Sequence, residues 1–315
     1  MPLLKRRRVF AAKVEATVGT AESLTGAEGV YNAYNVMIQP KISMTPRESQ
    51  GGFGMLTSVP QGLAGVATFR TGLGWDGTAT EPNWADVLLP GCGWVKTGQT
   101  FYPITAAPGS AVKTLTIGAY CDDGAGQSVL KILAGCMGNF TIVLPTGQMG
   151  YIDWEFQGVW QDVTDQSIIA PTYPTAKDLR FASGLVEWNN VNMCVSNVTI
   201  ESGNTIMLRE CPTTDGYLAA LVTNRIPKIK CNPEAVKTSV QDRWSTWTDQ
   251  TEQALEIDIA GPTTSYISFD ADKAQIINNQ EGDRNGMVTD EIEFQCNKNG
   301  TNLDQELKIT FTAAV

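Results

Sequence analysis

Residues 44–61 read MTPRESQGGFGMLTSVPQ and separate two segments in which apolar and polar residues alternate. Alternation at a two-residue spacing predicts a strand on either side of this stretch. The apolar positions of these strands are Val36, Ile38 and Ile42 before it and Leu63, Ala67, Phe69 and Leu73 after it. A loop this long without regular structure is uncommon in a compact domain unless it has a function. The sequence therefore predicts two strands joined by a long arm, an uninterrupted loop that makes a contact.

Four large apolar side chains lie within this arm, at Phe53, Met55, Leu56 and Val59. A loop that only faces solvent is mostly polar. We therefore expect these side chains to be buried against another surface. That surface belongs either to another copy of the chain or, if the arm folds back, to its own domain.

The composition limits the class of protein. The chain has 315 residues, 42% of them hydrophobic, which can form one large core or two ordinary ones. Its 33 acidic and 23 basic residues give a formal charge of -10, which repels nucleic acid over most of the surface. A conventional DNA-binding role is therefore disfavoured.

The sequence lacks residues that several common kinds of active site require. There is no histidine, so the commonest general base and every Ser-His or Cys-His nucleophile are absent. No phosphate-binding G-x-x-x-x-G-K-[ST] loop occurs. The seven cysteines are an odd number, scattered, without a C-x-x-C pair, which is typical of reduced packing residues. We predict a noncatalytic protein with no cofactor and no metal site.

The amino terminus carries a basic cluster, Lys5, Arg6, Arg7 and Arg8, without the apolar core of a signal peptide. A basic tip on an acidic protein can dock on another copy of the chain. A disordered, solubilising terminus is the alternative. No apolar run approaches the roughly 18 residues of a membrane helix, so we expect no membrane partner.

Strand patterns continue on both sides of a linker-like stretch that contains Pro171 and Pro174. This stretch predicts a first domain at 1–165, a linker at 166–178 and a second domain at 179–315. A short helix is expected in each half, at 84–89 and within 235–248.

Two short strings recur in the second half. LTI at 115–117 matches LEI at 255–257, and WEFQ at 154–157 matches IEFQ at 292–295. The offsets are 140 (255 minus 115) and 138 (292 minus 154). Near-equal offsets suggest an internal duplication.

Acidic residues alternate with apolar ones on three of the predicted strands. They are Asp153 and Glu155, Glu256 and Asp258, and Glu291 and Glu293. Charge alternating with apolar residues is typical of a half-exposed strand. A glycosidase would instead need carboxylates from separate elements on either side of a bond.

Further motifs follow one another in a characteristic order. They are KVEATVGT at 13–20, the strand, arm and strand at 36–73, LLPGCG at 88–93, TLTIGAY at 114–120, GCMG at 135–138 and WEFQG at 154–158. In this order they resemble the tail tube (major tail) proteins of long-tailed bacteriophages. The resemblance covers the first half directly and the second half through the inferred repeat.

The resemblance implies a mainly β fold with two tandem tail-tube-like β-barrel or sandwich domains, each with a short flanking α-helix. Rings of six such domains would stack into the tail tube of a virion, made in the host cytoplasm, with other tail proteins at its ends. Three chains would form a ring with pseudo-sixfold symmetry; a homohexamer is the alternative. The arm at 44–61 would form the contact between rings.

DNA would pass through such a tube without specific binding. A wall of carboxylates denies phosphates the contacts that release counterions and hold DNA. We expect the six acids named above to line or flank the lumen, with an outward-facing placement as the alternative.

Two rival functions remain at this stage. A noncatalytic virion adhesin or carbohydrate-binding β-sandwich would also be rich in strands, with Trp75 and Trp94 as stacking platforms. A hydrolase that uses paired carboxylates is the second rival. Neither accounts for the arm.

Overall fold

The computed structural model describes residues 3–4, 6–109, 111–301 and 303–314. Strands dominate these residues, and the helical segments are short. The prediction of a mainly β fold is confirmed.

The first half contains eleven strands in the described ranges. They are β1 (Arg8–Val14), β2 (Ala33–Lys41), β3 (Met44–Glu48), β4 (Met55–Pro60), β5 (Ala64–Gly72), β6 (Trp94–Thr97), β7 (Thr100–Pro103), β8 (Leu115–Asp122), β9 (Gln127–Pro145), β10 (Tyr151–Trp160) and β11 (Thr164–Ser167).

The second half contributes the remaining strands and one α-helix. They are β12 (Leu185–Trp188), β13 (Val191–Asn192), β14 (Val195–Glu201), β15 (Asn204–Glu210), β16 (Tyr217–Arg225), β17 (Lys228–Pro233), α1 (Arg243–Thr248), β18 (Glu252–Ala260), β19 (Tyr266–Arg284), β20 (Met287–Cys296) and β21 (Lys308–Thr312).

The helical segments are shorter than the sequence predicts. Where the sequence predicts the first helix, the structure has a single π-helical turn (Trp84–Leu88) and a 3-10 turn (Pro90–Cys92). The proline that opens the second turn lacks the N–H that would continue a helix. Among the described residues of the second half, only α1 is helical. The Asp242 side chain caps it by accepting from the Ser245 N–H at 3.0 Å.

Eight antiparallel strands form a ladder that runs through both halves. Their order is β2–β5–β10–β9–β14–β17–β20–β19. The junction between the halves is the pairing of β9 with β14, from Thr141 with Glu201 to Pro145 with Asn197. We call this arrangement the eight-strand ladder.

One face of the ladder is apolar because its residues alternate. In β10, for example, Ile152, Trp154 and Phe156 are buried while the residues between them are not. The apolar faces of both halves belong to one hydrophobic cluster, which includes Phe156 of the first half and Phe294 of the second. The sheets built on β8 and β18 contribute to the same cluster.

The long strands β9 and β19, with 19 residues each, have corresponding places in the two halves. The first lies between β8 and β10, and the second lies between β18 and β20. Ile117 pairs with Leu133 and Leu255 pairs with Ala271, so both partners are displaced by 138 residues (255 minus 117, 271 minus 133). The two halves therefore repeat one pattern of pairing.

This register corrects one of the two sequence echoes. Phe156 pairs with Gly138 and Phe294 with Ile276, again at a displacement of 138 (294 minus 156, 276 minus 138), so the IEFQ echo is in register. The LTI and LEI strings are not, because the counterpart of Leu115 is Gln253. A slip of two residues keeps the same strand face, so alternation alone could not detect it.

The predicted linker is only partly irregular. β11 begins at Thr164 and pairs with the start of β9 before the chain continues without regular structure. The halves share one ladder and one core, and the division into domains at 1–165 and 179–315 stays a prediction.

Candidate assembly surfaces

Residues 44–61 form a two-stranded hairpin, not the uninterrupted loop that the sequence suggested. β3 pairs with β4 from Met44 with Pro60 to Glu48 with Met55. Glycines at the tip allow the turn, and Gly51 has a φ of 81°. Two prolines and a register shift interrupt the alternating pattern, so periodicity does not reveal these strands. We call residues 44–60 the first arm.

The apolar side chains of the first arm are exposed. The exposed fraction is 108% for Phe53, 60% for Met55, 47% for Leu56 and 48% for Val59. Within the described ranges, β3 and β4 pair only with each other. The arm projects from the body and does not fold back on its own domain. An exposed apolar patch of this kind marks a surface that contacts another molecule.

A second hairpin, formed by β15 and β16, corresponds to the first arm. It lies between β14 and β17, as the first arm lies between β2 and β5. Glu48 pairs with Met55 and Glu210 pairs with Tyr217, so both partners are displaced by 162 residues (210 minus 48, 217 minus 55). We call residues 204–225 the second arm. Its correspondence to the first arm could not be predicted from the sequence, because the two arms share register but few residue types.

The second arm packs on the first half of the same chain. The Leu63 N–H donates to the Asp215 carbonyl at 2.8 Å. Ala220 is buried in a cluster with Met137. At the base of the arm, the Asn204 side chain donates to the carbonyls of Cys92 and Gly138, both at 2.9 Å.

Glycines let the backbones of the second arm and the first half approach closely. A Cβ on Gly62 would lie 2.4 Å from the Tyr217 ring. A Cβ on Gly135 would lie 2.8 Å from the Cα of Ala219. Real Cβ contacts are longer, so these glycines are required by the packing of the arm.

The face of the ladder away from the core is polar. Residues directly opposite each other on neighbouring strands share a face. One such row crosses six strands and consists of Arg70, Asp153, Thr141, Glu201, Lys228 and Gln295. A continuous polar surface therefore extends across both halves.

Four of the six candidate acids lie on this surface. Asp153 and Glu155 are on β10, and their counterparts Glu291 and Glu293 are on β20, at a displacement of 138 (291 minus 153, 293 minus 155). The structure therefore brings these four together on one face of the ladder.

The other two acids lie elsewhere. Glu256 and Asp258 are on β18, which pairs with β12 and β19 and is not part of the ladder. Glu187 and Asp270 lie opposite Glu256 on the neighbouring strands. Burial, together with the nearby Glu256 carboxylate, raises the pKa of Asp270 to about 7. These two acids form a separate acidic patch.

Basic residues that the sequence analysis did not single out also lie on the polar face. Arg70 pairs with Asp153, Lys228 with Glu293 and Lys230 with Glu201, each at 2.7 Å. Hydrogen bonding to the Asp153 carboxylate raises the pKa of Arg70. The face is thus less acidic than its carboxylates alone suggest. Only the register of the ladder places these bases beside the acids.

The basic terminus is partly used within the chain. Arg7 pairs with Asp122 at 2.8 Å, and the Arg8 side chain donates to the Val36 carbonyl at 2.5 Å. Arg6 is exposed. Lys5 lies outside the described residues.

The described residues contain no cluster of three or more His, Cys, Asp or Glu side chains arranged to hold a metal ion. In the same part of the chain, no helix is both long enough and apolar enough to cross a membrane.

The chain matches one of the protein families with which it was compared, whereas a search of curated proteins found no match. The family described as phage tail tube protein matches residues 6–296, which include both halves and both arms. Proteins of this family have a structural role in the phage tail, where they self-associate into a tube with other tail proteins. Because the match covers nearly the whole length of this mainly β chain, the chain belongs to the phage tail tube protein family.

Proposed function

We propose that this chain self-assembles into stacked rings that form the tail tube, an acidic conduit through which DNA passes into the host. The observation that carries the proposal is the eight-strand ladder with an open edge at either end. Unpaired strand edges invite pairing with another chain, and a closed ring removes them.

The two open edges belong to β2 and β19. Among the described residues, β2 pairs only with β5, so its other edge is open. One edge of β19 pairs with β18 as far as Gln275. Beyond Gln275, this edge has no strand partner in the part of the chain that the structure describes. The corresponding edges of β14 and β9 pair with each other inside the chain. The internal junction is therefore a template for the junction between copies.

The template predicts which residues meet at that junction. Inside the chain Thr141 lies opposite Glu201. Gln280 takes the place of Thr141, because it pairs with Glu291 as Thr141 pairs with Asp153. Gln39 takes the place of Glu201, at a displacement of 162 (201 minus 39). We expect Gln39 of one copy opposite Gln280 of the next.

Each chain supplies two repeats to the ring. Three chains then give six repeats with pseudo-sixfold symmetry, and six chains in a homohexamer are the alternative. The first arm, through Phe53, Met55, Leu56 and Val59, provides a contact between copies that supports stacking. The basic terminus, in which Arg6 is exposed, would dock on another copy.

The polar face of the ladder would form the wall of the lumen, with Asp153, Glu155, Glu291 and Glu293 on it. Ion pairs hold several charged side chains in place, and the remaining acids repel phosphates. Such a wall gives DNA few contacts that would release its counterions, so DNA slides without binding.

The rival function as a carbohydrate-binding adhesin has little support. The indole rings of Trp75 and Trp94, which would be its stacking platforms, are buried, with exposed fractions of 1% and 0%. We propose a structural role without catalysis.

Negative-stain electron microscopy of the purified protein tests the proposal, and hollow tubes are expected.

The variant Gln39→Cys/Gln280→Cys tests the junction, in a background where the exposed Cys194 and the partly exposed Cys211 are replaced by serine. Oxidation should join copies into a covalent ring of three chains, because directly opposed strand residues satisfy disulfide geometry.

Each single cysteine variant is the control and should not cross-link. A covalent ring of six chains would establish the homohexamer. Solitary protomers at high concentration, with no tubes or rings, would contradict the proposed function.

Deletion of residues 51–56 should give folded protein that no longer forms tubes.

A further inference from the structure

The second arm shows how an arm of this protein packs. It leaves the second half between β14 and β17 and lies over β9 and β10 of the first half. The first half is also the one whose β9 edge pairs with β14. An arm therefore covers the neighbouring repeat to which its own repeat is joined along the ladder.

The first arm has the length and register to do the same. Gln39 corresponds to Glu201 before the arms, and Val66 corresponds to Lys228 after them, both at a displacement of 162 (201 minus 39, 228 minus 66). The two segments that contain the arms, 39–66 and 201–228, therefore have the same number of residues. Within one chain, however, the open edge of β2 has no neighbouring repeat for the first arm to cover.

We propose that the first arm of each copy lies on the second half of the neighbouring copy in the same ring, so that all arms form one closed belt. This inference rests on the proposed function, because it requires the ring. The occupant of the docking surface is a second copy of this chain.

The tip of the first arm has a defined counterpart contact. Inside the chain, Tyr217 of the second arm packs against Gly62 at the base of the first arm. The counterpart of Tyr217 is Met55, and the counterpart of Gly62 is Asn224, both at a displacement of 162 (217 minus 55, 224 minus 62). Met55 of one copy therefore lies against Asn224 of the next, and both side chains are exposed within a single chain.

In the middle of the interface, the two surfaces are small or apolar inside the chain, and their counterparts between copies are both polar. Inside the chain, Ala219 and Ala220 pack against Gly135 and Met137, which are small or apolar. On the first arm the counterparts are polar, namely Thr57 and Ser58 (219 minus 162, 220 minus 162).

The docking surface on the second half is polar as well. The counterparts of Gly135 and Met137 are Lys273 and Gln275, at a displacement of 138 (273 minus 135, 275 minus 137). The polar face of the first arm would thus meet a polar face of the second half. Inside the chain, the apolar face of the second arm meets an apolar face of the first half. This matched change is expected of two surfaces that pack together.

The other face of the first arm remains free for the neighbouring ring. Val59 lies opposite Thr45, as Leu221 lies opposite Met207 on the second arm. Met207 is 60% exposed, so this face of the second arm points away from the body. The belt would bury one face of each arm within a ring and offer the other face for stacking.

Cross-linking of assembled tubes tests this inference. The variant Met55→Cys/Asn224→Cys is made with Cys194 and Cys211 replaced by serine, and tubes are confirmed by electron microscopy before oxidation. Denaturing electrophoresis should show near-complete loss of the monomer band. The product should end at the same number of chains as the Gln39→Cys/Gln280→Cys ring, because a belt within one ring closes on itself.

The matched control is Val59→Cys/Asn224→Cys, which places the arm cysteine on the opposite face and should cross-link far less. Cross-linked products that keep increasing in size beyond one ring would mean that the arm docks on the next ring. This result would overturn the inference. Intact tubes without cross-linking would also overturn it. Failure to form any tube or ring would instead count against the proposed function.

Discussion

Arg243, the first residue of α1, links this helix to the second half through a buried ion pair. Its side chain is 3% exposed and contacts the Asp290 carboxylate at 2.6 Å. It also donates to the Glu234 carbonyl and to the Gln241 side chain, both at 2.9 Å. Asp290 lies on β20 and pairs with Glu281 of β19, the strand whose other edge is open. A buried charge pair thus supports an edge that we assign to the ring junction.

Replacing Arg243 by methionine should destabilise the protomer by about 3–5 kcal/mol, because Asp290 would be left buried without its partner. Urea unfolding of unassembled protomers measures this change. Arg70→Met is the matched control. It breaks the pair with Asp153, whose side chains are 36% and 45% exposed, and should cost only about 0–1 kcal/mol. Equal losses for the two variants would show that the Arg243 pair contributes no more than a surface pair.

At the scale of elements, the second arm depends on close contact between backbones. Gly135 has a φ of 60° and faces Ala219 without space for a side chain. Gly98, in the hairpin of β6 and β7, has a φ of 63° but nothing within 4 Å of a Cβ. The two glycines share a backbone conformation and differ only in what lies next to them.

Gly135→Ala should therefore loosen the second arm, whereas Gly98→Ala should not. Both substitutions cost roughly 1–2 kcal/mol for the left-handed conformation. Gly135→Ala should cost about 1–3 kcal/mol more, because the added methyl group overlaps the arm. Hydrogen exchange should show loss of protection confined to residues 204–225 in that variant. Unchanged protection there would mean that the arm packs without this contact.

At the scale of the whole molecule, the ladder combines acids and bases from both halves on one face. The polar face of the ladder carries five acids, Asp153, Glu155, Glu201, Glu291 and Glu293. The same face carries three bases, Arg70, Lys228 and Lys230. The bases are held in ion pairs, which leaves fewer cations free to contact phosphates. Among the described residues, Glu155 and Glu291 form no salt bridge on this face.

Phage carrying Glu155→Lys/Glu291→Lys should eject DNA more slowly than the wild type, because the new cations would bind phosphates on the lumen wall. The delay should shrink as the salt concentration rises. Timed release of DNA from purified virions measures both effects. Glu256→Lys/Asp258→Lys makes the same charge change on β18, away from the ladder, and should leave ejection unchanged. If the control slows ejection and the ladder variant does not, the wall has been assigned to the wrong face.

The sequence alone determined the mainly β fold, the arm and the recurrence of a pattern in the second half. Strand periodicity is a local signal, so positions such as Ile152, Trp154 and Phe156 could be assigned to a buried face without any partner strand. The absence of histidine and the acidic balance likewise needed no structure. These properties depend on residue type and short-range order only.

Pairing register decided the rest, and register exists only between residues distant in the chain. It showed that residues 44–60 form a hairpin, that the second arm is its counterpart, and that Gln253 rather than Leu255 corresponds to Leu115. It also separated Glu256 and Asp258 from the four acids on the ladder and placed Arg70, Lys228 and Lys230 among them. Alternation tells which residues share a strand face, but only the folded sheet determines which strands lie side by side.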